Sequence, residues 1–293
     1  MRVGIDVGGT HTRGVALSMS GRVVAESERA TGTGNAVVLE SVLQALSELG
    51  RATGIRPSEI GIGVPGLVDI GTGVVHHAAN LGIAHMELGD LVADATGARV
   101  TVDNDVNAAT LSALQHVYPD PGDAPASFAY VNIGTGLGVG LVIDGRLLRG
   151  RAGHAGELGH FPLGLTDRAC GCGQRGCIET STSGSALAQF APERSSGLPL
   201  PEDFLAGLVA VLRMTTLAVD PSAIVLGGGV VLGREGFLEQ ILRALSEQDV
   251  RDSFLAHLAV AGRLRIAPAA ELGALGAALL PGPIAAARGP QLG

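Results

Sequence analysis

The chain has 293 residues, a formal net charge of −8 and a sequence pI of about 5.4. This acidic balance argues against non-specific binding to nucleic acids or anionic membranes, and 46% hydrophobic with 16% charged residues indicates a globular protein. The 20 basic residues are all arginines, so the chain lacks the lysine on which P-loop proteins, protein kinases and pyridoxal-phosphate enzymes depend.

The N-terminal residues MRVGIDVGGT match a buried strand rather than a signal peptide. No apolar run reaches the ~18 residues that a membrane helix needs. All three cysteines lie close together in the sequence, at residues 170, 172 and 177. We therefore expect a cytoplasmic protein with reduced thiols and with no membrane or nucleic-acid partner.

Apolar runs and periodicity predict the elements of the N-terminal part. A stripe of apolar residues predicts a helix over residues 36–49, which Gly50 is expected to stop. The proline-rich residues 119–126 indicate a domain boundary. Further elements are expected as helices at residues 86–96 and 105–116 and as strands at 3–8, 13–18, 22–26, 60–64 and 99–102.

A second series of predicted strands and helices begins after this boundary. Strands are expected at residues 128–133, 138–143, 146–149, 224–226 and 263–267, and helices at 204–219 and 235–248. We assign residues 1–118 to a smaller α/β domain, completed by a C-terminal helix at 271–281, and residues 119–270 to a larger one. A proline-rich segment occupies residues 195–203, and the tail from residue 281 is expected to be frayed.

The starts of the two parts resemble each other. Residues 6–24 and 132–148 both read as a strand, a turn containing Gly and Thr, a second strand, a tight turn, and then Gly-Arg with two apolar residues. Chance likeness between glycine-rich hairpins is the alternative. A true repeat predicts two related α/β domains, each of which presents a glycine turn to a cleft.

Three glycine turns follow predicted strands, and backbone N–H groups in such turns form sites for anions such as phosphate. Each one alone is more often an ordinary tight turn. Asp6 precedes the first turn, where it is either a ligand of Mg²⁺ or water or a turn cap. The turn residues are Gly8, Gly9 and Thr10, then Gly134, Thr135 and Gly136, then Gly227, Gly228 and Gly229.

Short polar residues crowd the sequence from Asp103 to Asn107, directly after a predicted strand. Such residues are preferred helix N-caps, which is the simpler interpretation. The alternative is that Asn104 and Asp105 face a substrate, with Asp105 accepting a proton from a hydroxyl group.

One histidine and three cysteines, His160, Cys170, Cys172 and Cys177, provide the ligands of a structural zinc site. Two carboxylates, Glu157 and Glu179, flank this set and are candidates for binding sugar hydroxyls, although solvated surface acids are the alternative. His76 and His77 are interpreted as surface residues in a loop or hairpin.

These motifs resemble those of the ROK group (repressors, open reading frames and sugar kinases) within the actin-like hexokinase superfamily. The resemblance runs from Gly4 to about Leu280 and rests on DVGGTHTRG, GVPG, DNDVNAA, GTGLGVG, GELGH, CGCGQRGCIE and LGGGV. It implies an α/β, two-domain actin-like ATPase (ribonuclease H-like) fold with an interdomain cleft. Two features depart from the family: the segment after Leu81 lacks the tryptophan of many members, and the region after Cys177 is shorter.

The resemblance also implies residue roles. Asp105 would be the general base, and His160 would serve both zinc and sugar. The sugar-binding residues would be Gly66, Asn80, Asn104, Asp105, Glu157, His160 and Glu179. The residues on the Mg-ATP side would be Asp6 and the residues of the three glycine turns.

We therefore expect a sugar kinase that transfers the γ-phosphate of Mg-ATP to a hexose, with the 6-hydroxyl of glucose as the first candidate. Its cofactors would be ATP, Mg²⁺ and a structural Zn²⁺. The alternatives are a kinase for an amino sugar or a cyclitol, and a non-catalytic sugar-binding regulator of the same family. The resemblance favours a homodimer or a homotetramer.

Overall fold

Two compact units make up the described part of the chain. The computed structural model describes residues 1–120, 122–194, 198–249, 253–267 and 272–282. The first unit contains the described residues of Met1–Pro121, Arg149–Ala155 and Glu271–Ala286, and the second those of Gly122–Leu148 and Gly156–Ala270. Residue 271, part of the proline-rich segment (195–197) and the tail after residue 282 lie outside the described residues.

The first unit is built on a five-stranded mixed sheet. Strands β1 (Arg2–Val7), β2 (His11–Leu17) and β3 (Val23–Ala30) form an antiparallel meander, and β4 (Glu59–Val64) and β8 (Arg99–Asn104) continue the sheet parallel to β1. The strand order is β3-β2-β1-β4-β8. The central strands β1 and β4 are mainly apolar and largely buried, as expected for strands covered on both faces.

The helices of this unit are α1 (Asn35–Thr53), α2 (Leu88–Thr96), α3 (Asp105–Val117) and α10 (Leu272–Ala277). The prediction that Gly50 ends α1 is wrong. The helix continues to Thr53, and Gly54 ends it in the left-handed conformation. A glycine inside a helix costs only about 1 kcal/mol, which the buried stripe of α1 outweighs.

A second, three-stranded antiparallel sheet in this unit was not predicted in full. It contains β5 (Leu67–Asp69), β6 (Val74–Ala78) and β7 (Ile83–Met86). His76 and His77 therefore lie on a strand of a hairpin, and the ring of His76 packs edge-on against that of His85 at 5.0 Å. The helix expected from residue 86 begins at Leu88, because residues 83–86 pair with β6.

The second unit repeats the strand order of the first. Its strands are β9 (Ser127–Ile133), β10 (Leu137–Ile143), β11 (Arg146–Leu147), β12 (Ala223–Gly227) and β13 (Leu264–Ile266). The sheet runs β11-β10-β9-β12-β13, again a three-stranded meander extended by two parallel strands. The predicted repeat of the hairpin unit, residues 6–24 and 132–148, is therefore confirmed in strand order. Strand β11 is shorter than expected and ends at Leu147.

The helices of the second unit are α4 (Gly184–Phe190), α5 (Glu202–Val219), α6 (Gly229–Leu232), α7 (Phe237–Gln248), α8 (Phe254–His257) and α9 (Val260–Arg263). They cover its sheet, and Phe204, Leu208 and Leu212 of α5 enter the same buried cluster as Ile241 and Leu245 of α7. Within the described residues, we find no helix whose length and hydropathy would let it span a lipid bilayer.

Candidate functional site

The first glycine turn, Gly8 to Thr10, joins β1 to β2 and lies at the protein surface at Gly9 and Thr10. The N–H of Gly8 donates to the carbonyl of His11 at 2.9 Å, which closes the turn. The predicted sugar-binding residue Asn80 lies on a short helical turn, Ala79–Leu81, and is exposed. A Cβ on Gly9 would lie 3.6 Å from that of Asn80, so the two residues are neighbours.

Thr31, which the sequence interpretation missed, holds this turn through two hydrogen bonds. Its hydroxyl donates to the carbonyl of Gly8 at 2.8 Å, and its backbone N–H donates to the carbonyl of Thr10 at 3.0 Å. The hydroxyl of Thr12 extends this buried network: its Oγ1 lies 3.0 Å from Oγ1 of Thr31 and 3.0 Å from Oγ of Ser41. Thr31 follows β3 and lies far along the chain from the turn it supports, so no local pattern indicated its role.

Asp6 and Asp105 are two carboxylates of the first unit whose pKa values are both raised. Burial, reinforced by the charge of Asp105 and opposed by Arg13, raises the pKa of Asp6 to about 7. Burial likewise raises the pKa of Asp105 to about 6, although a hydrogen bond from the N–H of Val106 (3.0 Å) opposes the rise. Each residue keeps part of its surface exposed. Two neighbouring carboxyls with raised pKa values suit proton transfer or cation binding.

Glycines make room for this carboxylate pair. A Cβ on Gly63 would lie 3.3 Å from Cα of Asp105 and 3.8 Å from a carboxylate oxygen of Asp6. A Cβ on Gly273, in α10, would overlap the Asp6 carboxylate at 2.3 Å. The helix that closes the first unit therefore lies directly against Asp6.

Asn104 is the N-cap of α3, as the simpler interpretation of the polar cluster predicted. Its side-chain oxygen accepts from the N–H groups of Val106 (2.8 Å) and Asn107 (3.3 Å). Its amide nitrogen donates to the carbonyl of Gly66 at 3.1 Å. Two predicted sugar-binding residues, Gly66 and Asn104, are thus joined to each other and adjoin Asp105, the first residue of α3.

Asp103 and Arg149 form an ion pair that the sequence interpretation did not anticipate. Nε of Arg149 donates to Oδ2 of Asp103 at 2.7 Å, and the Asp103 side chain is almost completely buried. Because 46 residues separate the partners in the chain, no spacing rule could have found the pair.

The predicted zinc ligands come together in the second unit. The donor atoms of His160, Cys170, Cys172 and Cys177 lie within 4.8 Å of one another. The sulfurs of Cys172 and Cys177 are 3.7 Å apart, close to the ~3.8 Å edge of a tetrahedron with Zn–S distances of about 2.3 Å. The donor set and its spacing therefore fit a zinc ion.

The pKa values of the three thiols shift in different directions when no cation is bound. Burial, with the neighbouring Glu179 carboxylate, raises the pKa of the Cys170 thiol far above its usual value. Burial also raises the pKa of Cys177, whereas hydrogen bonds from the N–H of Gln174 and from the other thiols outweigh desolvation and lower that of Cys172. A bound cation would stabilise all three as thiolates.

His160 connects this cluster with both candidate sugar carboxylates. Its Nδ1 lies 3.6 Å from Sγ of Cys170 and 3.4 Å from Oε1 of Glu179, while its Nε2 lies 3.7 Å from Oε2 of Glu157. The side chains of Glu157, His160 and Glu179 are all half-buried. The structure thus places Glu157, His160 and Glu179 in one polar cluster at the metal ligands.

The other two glycine turns lie at the ends of β9 and β12. Gly134 donates to the carbonyl of Gly136 at 3.1 Å across the β9–β10 turn, which also contains Thr135. Gly227 ends β12, and Gly228, with φ of 92°, precedes the helix that starts at Gly229. A Cβ on Gly228 would lie 2.5 Å from the carbonyl oxygen of Ile133, so this close approach requires glycine.

A family model described as the ROK family matches residues 2–281. This chain belongs to the ROK family. It is 35% identical over 199 residues to a glucokinase of Halalkalibacterium halodurans, a match that covers 65% of this chain and 59% of the relative. It is 31% identical to an N-acetylmannosamine kinase of Salmonella arizonae, with coverage of 94% and 96%.

A solved structure supports the fold of this ROK family member. A ROK family glucokinase from Streptomyces griseus, in complex with glucose and AMPPNP, is 26% identical with a TM-score of 0.79, and the match covers 94% of this chain and 97% of that one. The predicted two-domain actin-like ATPase fold is thereby confirmed. The chain spans about three fifths of the length of the H. halodurans glucokinase.

Proposed function

We propose that this ROK family member is an ATP-dependent sugar kinase that transfers the γ-phosphate of Mg-ATP to a hexose hydroxyl. The 6-hydroxyl of glucose is the first candidate, because glucokinases are among the relatives and one solved relative contains glucose. The observation that carries the proposal is the position of Asp105 on α3, where burial raises its pKa to about 6.

Asp105 would act as the general base. Its raised pKa lies near neutral pH, where a carboxylate is mostly ionised and yet accepts a proton more readily than an exposed aspartate does. The N-cap contacts of Asn104 fix the start of the helix that carries it. The proton of the attacking hydroxyl would pass to the carboxylate as its oxygen bonds to the γ-phosphorus. The bond from that phosphorus to the β,γ-bridging oxygen of ATP would break, and ADP would leave.

Asp6 and the three glycine turns would serve the nucleotide. The N–H groups of the turns would bind phosphate oxygens, and Asp6 would hold Mg²⁺ directly or through water. When bound, Mg²⁺ supplies positive charge that neutralises the phosphates during transfer. Since a cation favours ionised carboxylates, binding it would also lower the pKa of Asp6.

Glu157, His160 and Glu179 would hold sugar hydroxyls, together with Asn80, Asn104 and Gly66. Carboxylates suit this role because they accept hydrogen bonds from neighbouring hydroxyls. Zinc would be structural: bound by His160 and the three cysteines, it would fix the loop that carries the two glutamates.

An amino-sugar substrate is the second candidate. It is favoured by the N-acetylmannosamine kinase that matches this chain over nearly its full length. The departure from the family after Leu81, where this chain reads GIAHMELGD, leaves glucose and an amino sugar as open alternatives, with a cyclitol third.

The test is a panel of hexoses, amino sugars and cyclitols with Mg-ATP and other phosphoryl donors, assayed with wild type, Asp105→Asn and Asp94→Asn. Asp94 is an exposed carboxylate on α2 and provides the matched control. We expect Asp105→Asn to lower kcat about 10²–10⁴-fold while sugar binding by calorimetry remains. Retained turnover in that variant would refute the role of Asp105. Sugar binding without phosphorylation of any compound would identify a regulator instead.

A further inference from the structure

We propose that Arg149, which lies outside every recognised motif, is a positioning residue for Asp105. This inference rests on the proposed function. It begins with the ion pair in which Nε of Arg149 donates to Oδ2 of Asp103 at 2.7 Å. The Asp103 side chain is 1% exposed and that of Arg149 is 26% exposed, so water cannot solvate the charge of Asp103 and Arg149 is its counter-ion.

The other oxygen of Asp103 holds the residues on both sides of Asp105. Oδ1 accepts from the backbone N–H of Asn104 at 2.8 Å and from the side-chain amide of Asn107 at 2.9 Å. Asn104 is in turn the N-cap of α3. The placement of Asp105 therefore depends on the orientation of one buried carboxylate, and Arg149 is the cation paired with it.

Arg149 is well placed to hold this orientation because its own segment packs within the first unit. The N–H of Ala155 donates to the carbonyl of Arg149 at 3.3 Å, which closes residues 149–155 into a loop. A Cβ on Gly153 would lie 2.8 Å from the carbonyl oxygen of Val68, so the loop lies against β5. Asp103 itself pairs with Gly63 in the central sheet.

Loss of Arg149 has two physical consequences. The Asp103 carboxylate loses a charge-assisted hydrogen bond, so its orientation is less restrained. Its negative charge is also left without its partner, two residues before Asp105, whose carboxylate already repels that of Asp6. Both effects misplace or distort the base without removing a contact to the sugar or to ATP. The loss should therefore appear in kcat rather than in KM.

The experiment compares Arg149→Met, Arg149→Lys, Asp103→Asn and the double variant Asp103→Asn/Arg149→Met, below the Tm of each. Arg151→Met is the matched control, since Arg151 is exposed in the same segment. We expect Arg149→Met to lower kcat about 10–100-fold, with both KM values within about threefold of wild type. Arg149→Lys should recover part of the loss because it keeps the charge.

The double variant separates positioning from direct contact. After Asp103→Asn, the side-chain oxygen can still accept the hydrogen bonds from Asn104 and Asn107, but the side chain carries no charge. The kcat of the double variant should therefore recover from the low value of Arg149→Met to within a few-fold of that of Asp103→Asn alone. No recovery, or an unchanged kcat in Arg149→Met with only a lower Tm, would overturn the inference. An inactive wild type would instead refute the proposed kinase function, and Arg149→Lys serves if Arg149→Met does not fold.

Discussion

Glu179 places Oε1 2.9 Å from Sγ of Cys170, so a candidate sugar carboxylate touches a candidate zinc ligand. Its other oxygen faces the second glycine turn, where a Cβ on Gly136 would lie 3.0 Å away. One carboxylate thus adjoins both the metal ligands and a proposed phosphate turn. The metal would determine the placement of Glu179 as well as that of the loop.

Removal of zinc should therefore weaken sugar binding before it weakens nucleotide binding. Without the cation, the thiols of Cys170 and Cys177 would take up protons and release His160, and Glu157 and Glu179 would lose their fixed placement. We expect protein treated with a chelator to lose about tenfold or more in sugar affinity, because loss of the groups that hold binding residues in place weakens binding by about this factor. Calorimetry with glucose and with a non-hydrolysable ATP analogue, alongside metal analysis, measures both. About one zinc per chain is expected, and an equal loss for both ligands would contradict the assignment.

The rate should depend on pH through Asp105. A general base works only when it is deprotonated, and the pKa of Asp105 is raised to about 6. We therefore expect kcat/KM to rise with pH up to about 6 and then to level off. More Mg²⁺ should move this rise to lower pH, because a cation near Asp6 favours both ionised carboxylates. Asp94→Asn should leave the profile unchanged, and a flat profile from pH 5 to 7 would exclude Asp105 as the base.

Asp6→Asn should stabilise the unliganded, metal-free protein at alkaline pH. The folded pKa of about 7 lies above the ordinary value of 3.8, so the folded state binds this proton more tightly than the unfolded state. The contribution of Asp6 to stability is therefore greatest below pH 3.8 and is lost as the pH rises through 7. We expect the variant to gain roughly 1–3 kcal/mol at pH 8, or several degrees in Tm, with the gain shrinking towards pH 4. A lower Tm than wild type at pH 8 would show that the Asp6 charge is well solvated.

Local chemistry explains why the main features of the site could be predicted from the sequence. Gly8, Gly134 and Gly227 end or follow apolar strands, and backbone turns at such points need glycine. The polar run from Asp103 marks a helix start because those side chains cap helices. The zinc ligands His160 to Cys177 lie within one short loop, so their spacing alone indicates a metal site.

Contacts between distant residues explain what could not be predicted. Arg149 and Asp103 meet only after the chain has folded, and neither stands in a pattern that requires the other. Thr31 supports the first glycine turn from the end of a different strand. The three short strands β5 to β7 are three to five residues long, too short to show alternation. The end of α1 was misplaced because packing of its buried stripe outweighs the cost of Gly50.

Gly61→Ala and Gly50→Ala should change stability in opposite directions. A Cβ on Gly61 would lie 1.7 Å from the carbonyl oxygen of Ala277 in α10, so alanine must displace that helix from β4. We expect Gly61→Ala to cost about 3 kcal/mol or more and to lower activity, since α10 also lies against Asp6. Gly50 is inside α1 with its nearest atom at 3.9 Å, so Gly50→Ala should gain up to about 1 kcal/mol. Denaturant unfolding of both variants measures the difference, and a neutral Gly61→Ala would contradict the close packing of α10 on the sheet.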